Sequence, residues 1–156
     1  MGWPDKTRES ECSNLEKGVQ DREVYLFIGI FILSTIFFFL DTSRCNKGNP
    51  LLFLHNLTSS FGNFGWLSNN VFVLKMFILV NVIMVVMWAL NSNLCLFTEL
   101  HNKACHLPKN QPFNELFYWI GFKQYPFWNK YGHYIFTTTV FSISVYKLWQ
   151  MVKINK

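Results

Sequence analysis

The sequence predicts an all-α membrane protein. Three transmembrane helices, at about 24–40, 71–90 and 134–152, are joined by loops holding one or two interfacial amphipathic helices. Two observations predict it. Apolar residues make up 51% of the 156 and aromatic residues 19%, while charged residues fall to 15%, well below the roughly 25% usual in soluble domains. The apolar residues are also gathered into continuous runs with charge at their ends, the pattern a bilayer selects. A chain of this length makes one integral-membrane domain over 1–156. Within it lie a polar segment 1–23, a loop 41–70 and an aromatic-rich loop 91–133.

The first twenty-three residues carry six acids and four bases. A transit peptide is poor in acids and a signal peptide has an apolar h-region, so neither fits. The first apolar run is read as an uncleaved anchor. It is VYLFIGIFILSTIFFFL, Val24 to Leu40, between Glu23 and Asp41. At about 1.5 Å per residue it covers roughly 25 Å, somewhat short of a ~30 Å hydrocarbon core. The second run, VFVLKMFILVNVIMVVMWAL from Val71 to Leu90, reaches full spanning length. The third, YIFTTTVFSISVYKLWQMV from Tyr134 to Val152, is more polar but bracketed by rings and lysines. With three spans the N-terminal segment and the loop 91–133 share a side. Lys and Arg then count eight on that side against five opposite, which favours the N-terminus inside.

Two loop segments suggest surface helices. In PLLFLHNLTSSFGNFGWLS, from Pro50, Phe53, Leu57, Phe61 and Phe64 form one stripe, with His55, Ser59 and Asn63 facing away. This reads as an in-plane or re-entrant helix that Gly62 and Gly65 would end or bend. In 113–134, ten Phe, Tyr or Trp rings are mixed with lysines. Phe113, Leu116, Phe117 and Ile120 recur at helical spacing after Pro112. Trp119, Tyr125, Trp128 and Tyr131 suit the headgroup level, with Lys123 and Lys130 reaching water or lipid phosphate. The same rings would serve equally well packed on a neighbouring subunit.

Polar residues within the spans are few. Lys75 lies in the first turns of the second span and can snorkel to the interface. Asn81 sits near mid-bilayer with Trp88 two turns on, and an amide there wants a partner on another helix. Tyr134, Thr138 and Ser142 form a hydroxyl stripe for close helix packing, with Ser34 and Thr35 as partners on the first span. Gly29 would permit a close crossing. No Asp or Glu lies inside a span, which argues against an ion or proton path. The four histidines, His55, His101, His106 and His133, lie outside the span interiors, so a haem held between helices is not expected.

The segment CLFTELHNKACH, Cys95 to His106, gathers two Cys and two His. It has no CxxC pair, and no metal or other cofactor is expected. Cys95 and Cys105, nine residues apart, resemble half of the twin CX9C pattern of the mitochondrial intermembrane space. Without the second half, free thiols are the expectation. Asn56-Leu57-Thr58 is a glycosylation sequon, but its apolar surroundings argue for burial.

Basic residues occur singly rather than in a stripe, so nucleic acid is not an expected partner. The expected role is a non-catalytic accessory or structural subunit of a multi-subunit membrane complex. Its partners are other integral-membrane subunits and phospholipids. The favoured location is the mitochondrial inner membrane, within a respiratory-chain assembly. The alternative is an endoplasmic-reticulum protein that binds or modifies lipid, with His101, His106 or His133 as its acid–base groups. A third class, a channel or transporter subunit lined by Asn81 and the hydroxyl stripe, lacks intramembrane carboxylates.

Overall fold

A computed structural model describes residues 6–42, 50–92, 94–109 and 125–154, with side chains left undescribed at 6–17, 19, 126, 128–130 and 154. Among them the secondary structure is helical, without strands. The elements are α1 Lys6–Thr42, α2 Pro50–Phe64, a 3-10 turn Gly65–Leu67, α3 Val71–Leu90, α4 Leu96–Ala104 and α5 Pro126–Ile154. Two helices are long and apolar enough to cross a membrane, at Gln20–Thr42 and Val71–Leu90.

Each boundary has a local cause. Helix α1 extends far back into the polar segment because Glu, Lys, Arg and Leu there are good helix formers. Asn70 caps α3: its Oδ1 accepts from Phe72 N at 2.8 Å and Val73 N at 3.3 Å, satisfying two of the amides a helix start leaves open. Helix α3 stops at Asn91, whose N–H closes onto Met87 O at 2.9 Å before Ser92 turns at φ 52°. Helix α5 opens on Pro126, which costs nothing in a first turn. It therefore begins eight residues before the expected span.

Helix α2, the segment expected to be in-plane or re-entrant, lies antiparallel along α1. Near its start, Asn56 Nδ2 donates to Asp41 Oδ2 at 3.5 Å, and Phe53 meets Phe38 and Phe31 edge to face. At the far end of the same line, Arg22 donates to Leu67 O at 3.3 Å. Helix α3 then runs back beside α2, with Phe61 against Phe77 at 5.9 Å. Helix α5 returns along α3, from Tyr134 against Trp88 to Lys147 against Trp66. The result is an up-down-up-down arrangement of α1, α2, α3 and α5. One end carries Glu23, Ser68 and Lys147; the other carries Asp41, Trp88 and α4. The three-span reading put Lys147 across the membrane from Arg22, and the packing of α2 brings both to one end.

The interior mixes apolar side chains (Ile30, Phe37, Leu52, Val73, Leu74, Phe77 and Val140) with many polar ones, while large apolar side chains cover the outside. Ser34, Asp41, His55, Asn56, Ser60, Asn81, Thr137 and Ser144 are buried. Tyr25, Phe31, Phe39, Phe72, Leu79, Tyr146 and Trp149 are all more than half exposed. In α2, His55, Asn56 and Ser60 are buried beside Leu52, while Phe53 and Leu57 of the expected stripe are half-buried.

Candidate interhelical and membrane-end sites

Three polar constructions hold the helices in register. The first joins α1, the 65–70 turn and α5. Ser68 is fully buried. Its Oγ donates to Glu23 Oε2 at 2.6 Å, and Asn69 N donates to Glu23 Oε1 at 2.7 Å. From the other side Lys147 Nζ donates to Ser68 O at 2.6 Å and Trp66 O at 3.0 Å. The turn is needed to change direction between α2 and α3, and its backbone groups lack helical partners. Two charged side chains supply them.

Gly65 makes the tight start of this turn possible. A Cβ there would lie 2.7 Å from Phe77 Cδ2 and 2.9 Å from Phe61 Cε2. Gly29, expected to permit a crossing, has nothing within 4 Å of its Cβ position.

The second construction is the α3 seam. Asn81 is 1% exposed, as an interhelical residue would be. Its Nδ2, however, donates to Phe77 O at 2.8 Å within its own helix, and its Oδ1 meets no donor. The amide therefore bonds along α3, in contrast to the expected bond to a neighbouring helix. Trp88 does reach across, with its ring 5.8 Å from both Tyr134 and His133 on α5. Thr138 and Ser142 are exposed, and Ser142 donates back to Thr138 O. The buried hydroxyls of α5 are Thr137 and Ser144. Of the expected hydroxyl stripe, Tyr134 meets α3 and Thr138 and Ser142 do not. Ser34 does face a neighbour, donating to Ile30 O at 2.6 Å with Asn56 O at 3.3 Å, whereas Thr35 bonds Phe31 O.

The third construction seats α4 on α2. Cys95, which precedes α4, has its Sγ 3.5 Å from Nδ1 of buried His55. Glu99 accepts from Asn91 at 3.0 Å and pairs with Lys109 at 3.0 Å. These contacts, the Lys109 bond first, hold its carboxyl below the usual range. His101 is buried with Nε2 3.4 Å from Cys105 Sγ, and burial pushes its imidazole pKa down. Cys95 is a free thiol and Cys105 is disulfide-bonded. The two do not pair with each other, and Cys105 departs from the expected free thiol. No group of three or more Cys, His, Asp or Glu among the described residues is arranged to hold a metal.

No family model, curated protein or solved structure matches this chain. Its own geometry is thus the basis for a functional reading.

The remaining expected positions divide by location. Tyr125 and Tyr131 are exposed at the start of α5, where the rings of Phe127 and Tyr131 meet at a tilt, 5.4 Å apart. Trp128 and Lys130 belong to the same turns, and their side chains are outside the described ones. Trp119 and Lys123 lie outside the described residues, as does the helix expected after Pro112. Asn56 of the sequon is 1% exposed and bonded to Asp41, so a glycan could not be accommodated there. The residue missed by sequence reasoning is Lys147. It entered the sequence reading only in the Lys and Arg count, and its signal was a charge five residues before the end of an otherwise uncharged run.

Proposed function

We propose that this protein is a non-catalytic accessory subunit embedded in a membrane, within a multi-subunit assembly of the mitochondrial inner membrane such as a respiratory-chain complex. The observation that carries the embedding is the apolar outer surface of the two long helices. Only 17% and 22% of the two apolar windows are buried, while amides, hydroxyls and a carboxylate share the interior with Leu52, Leu74 and Phe77. Water would leave that arrangement with a large exposed apolar surface, which a bilayer or a neighbour would cover.

In this reading α5 is a third span and α2 a fourth pass. Helix α2 and its 3-10 extension together supply roughly 28 Å, close to a hydrocarbon thickness. The lysine and arginine count then evens to seven against six at the two ends, with Lys75 left in α3, and charge no longer orients the chain. The Cys105 disulfide supports one orientation, since disulfides persist on the oxidising side of a membrane. The α4 end faces the intermembrane space, and the end with Arg22 and Lys147 faces the matrix.

The subunit role follows from the surface. Phe31, Ile32, Phe39 and Tyr146, with Trp149, present large side chains outward along two helices, more than anchoring a small bundle requires. Tyr125 and Tyr131, exposed at the start of α5, suit the interface there. A native gel of digitonin-solubilised membranes, with the tagged chain identified by mass spectrometry in its band, tests the role. Comigration with a large assembly is expected. Migration as a small particle would remove it, and enrichment in endoplasmic-reticulum fractions would remove the organelle assignment.

A further inference from the structure

One end of the bundle carries a covalent bond whose second half follows from elimination and reach. The chain has four cysteines, Cys12, Cys45, Cys95 and Cys105. Cys105 is disulfide-bonded and Cys95 is a free thiol. Cys12 and Cys45 remain as partners, and a disulfide brings its two Cα atoms within about 7 Å.

The seat of α4 fixes where Cys105 lies. Cys95, just before α4, has its Sγ 3.5 Å from Nδ1 of His55. The next residue on α2, Asn56, bonds Asp41 in the last turn of α1. Glu99, midway along α4, accepts at 3.0 Å from Asn91, which directly follows α3. Cys105 comes six residues after Glu99, roughly 9 Å at helical rise. It therefore stands at the end of the bundle where α1 and α3 stop.

Cys12 is at the opposite extreme. Helix α1 is continuous from Lys6 to Thr42, and the thirty residues from Cys12 to Thr42 hold those two roughly 45 Å apart. The short step from Glu99 to Cys105 closes little of that gap. Cys45 lies outside the described residues, and chain connectivity alone bounds its reach. It follows Thr42 by three residues, at most about 11 Å of fully extended chain.

We infer that Cys45 and Cys105 form the disulfide, tying the α1–α2 connection to the C-terminal end of α4. The two thiols together give two electrons and two protons to the disulfide of a thiol oxidoreductase, which leaves as a dithiol while the new S–S bond forms. Helix α4 has nine residues, too few to hold a helix alone in water. The disulfide clasps its far end as the Cys95–His55 contact seats its near one. The pairing itself does not require the membrane-embedded reading; only its side of the membrane does.

The test is peptide mapping of the full chain, isolated with its thiols blocked by N-ethylmaleimide and digested with trypsin without reduction. Residues 45–47 joined to residues 104–109 are expected in the mass spectrum. Residues 9–17, which hold Cys12, should be recovered unlinked with maleimide on their thiol. Residues 104–109 linked to 9–17, or carrying maleimide themselves, would overturn the pairing. Counting thiols in the denatured chain with a polyethylene-glycol maleimide checks it through variants. The wild type should take two labels before reduction, on Cys12 and Cys95, and four after it. Cys45→Ser should release the Cys105 thiol and raise the count before reduction to three, whereas Cys12→Ser should lower it to one. The reverse result, three labels in Cys12→Ser and one in Cys45→Ser, would assign the bond to Cys12 and refute the inference.

Discussion

Lys147 Nζ reaches back seventy-nine residues in sequence to lie 2.6 Å from Ser68 O. The same serine gives its hydroxyl proton to Glu23. One small residue is thus held from two sides by opposite charges that do not touch each other. The turn that directs α3 is fixed to both the first and the last helix.

Removing Lys147 should loosen that end. Lys147→Met keeps the stem length and apolar contact but leaves Trp66 O and Ser68 O without their donor. Hydrogen bonds from a charged group contribute about 1.5–3 kcal/mol each, and water entering the open end recovers part of this. A net loss of about 2 kcal/mol is expected for Lys147→Met, and a smaller one for Lys147→Arg. Thermal unfolding in detergent, followed through tryptophan fluorescence, measures it. A wild-type midpoint in Lys147→Met would mean that the three-element tie contributes nothing.

Asn81→Leu should leave the fold as stable as the wild type or make it more so. The amide donates only within its own helix, and its carbonyl oxygen is buried without a donor. Such a group costs about 1–3 kcal/mol, and leucine, which has the same branched skeleton though a larger volume, removes it. Because Asn81 is 1% exposed, no neighbouring subunit can reach it. Yield of the assembled complex in Asn81→Leu should therefore match the wild type. A lower yield would show that the amide bonds across helices after all.

The glycines divide by what a methyl group would meet. At Gly65 it would strike ring atoms of Phe77 and Phe61 that are themselves packed, so Gly65→Ala should cost about 1–3 kcal/mol through overpacking. At Gly62 it would meet only the mobile tip of Met84, and the change should be nearly neutral. At Gly29 it meets nothing, and alanine should stabilise α1 by roughly 0.5–1 kcal/mol through helix propensity. The order of unfolding midpoints, Gly29→Ala highest and Gly65→Ala lowest, checks all three.

What the sequence made legible was whatever depends on length and continuity. Val71–Leu90 has the expected bounds, and the apolar run of the first helix lies where it was expected. Placement of α2 was not legible. Its Phe53, Leu57, Phe61 and Phe64 stripe looks the same whether it faces a core, a membrane surface or lipid from within a bundle. Choosing between these required knowing that Asn56 meets Asp41 and Ser34, contacts made by residues far apart in sequence. The phase of α5 failed for a related reason. Thr137, Thr138 and Thr139 are consecutive, so spacing alone cannot say which one faces α3. The disulfide state of Cys105 and the role of Lys147 are likewise properties of pairs, and a single residue does not announce its partner.

The seat of α4 should weaken in mild acid. Burial lowers the pKa of His101 below its usual 6.5, so the unfolded chain binds the proton more readily than the folded one. Linkage then makes stability rise with pH across the interval between the two values. His101's contribution is fully present above about 6.5 and is lost as the pH falls from there through the lower folded value. Glu99 acts in the same direction at lower pH. Its carboxyl is held down by Lys109 and Asn91, and its contribution is lost as the pH falls below the ordinary carboxylate value through the folded one. The fall in midpoint between pH 7.5 and 5.5 should be larger in the wild type than in His101→Gln, which keeps a polar side chain of similar reach but cannot titrate. Below pH 5 both proteins should lose stability together as Glu99 protonates. If His101→Gln tracks the wild type throughout the upper range, His101 is not the group that sets the pH dependence there.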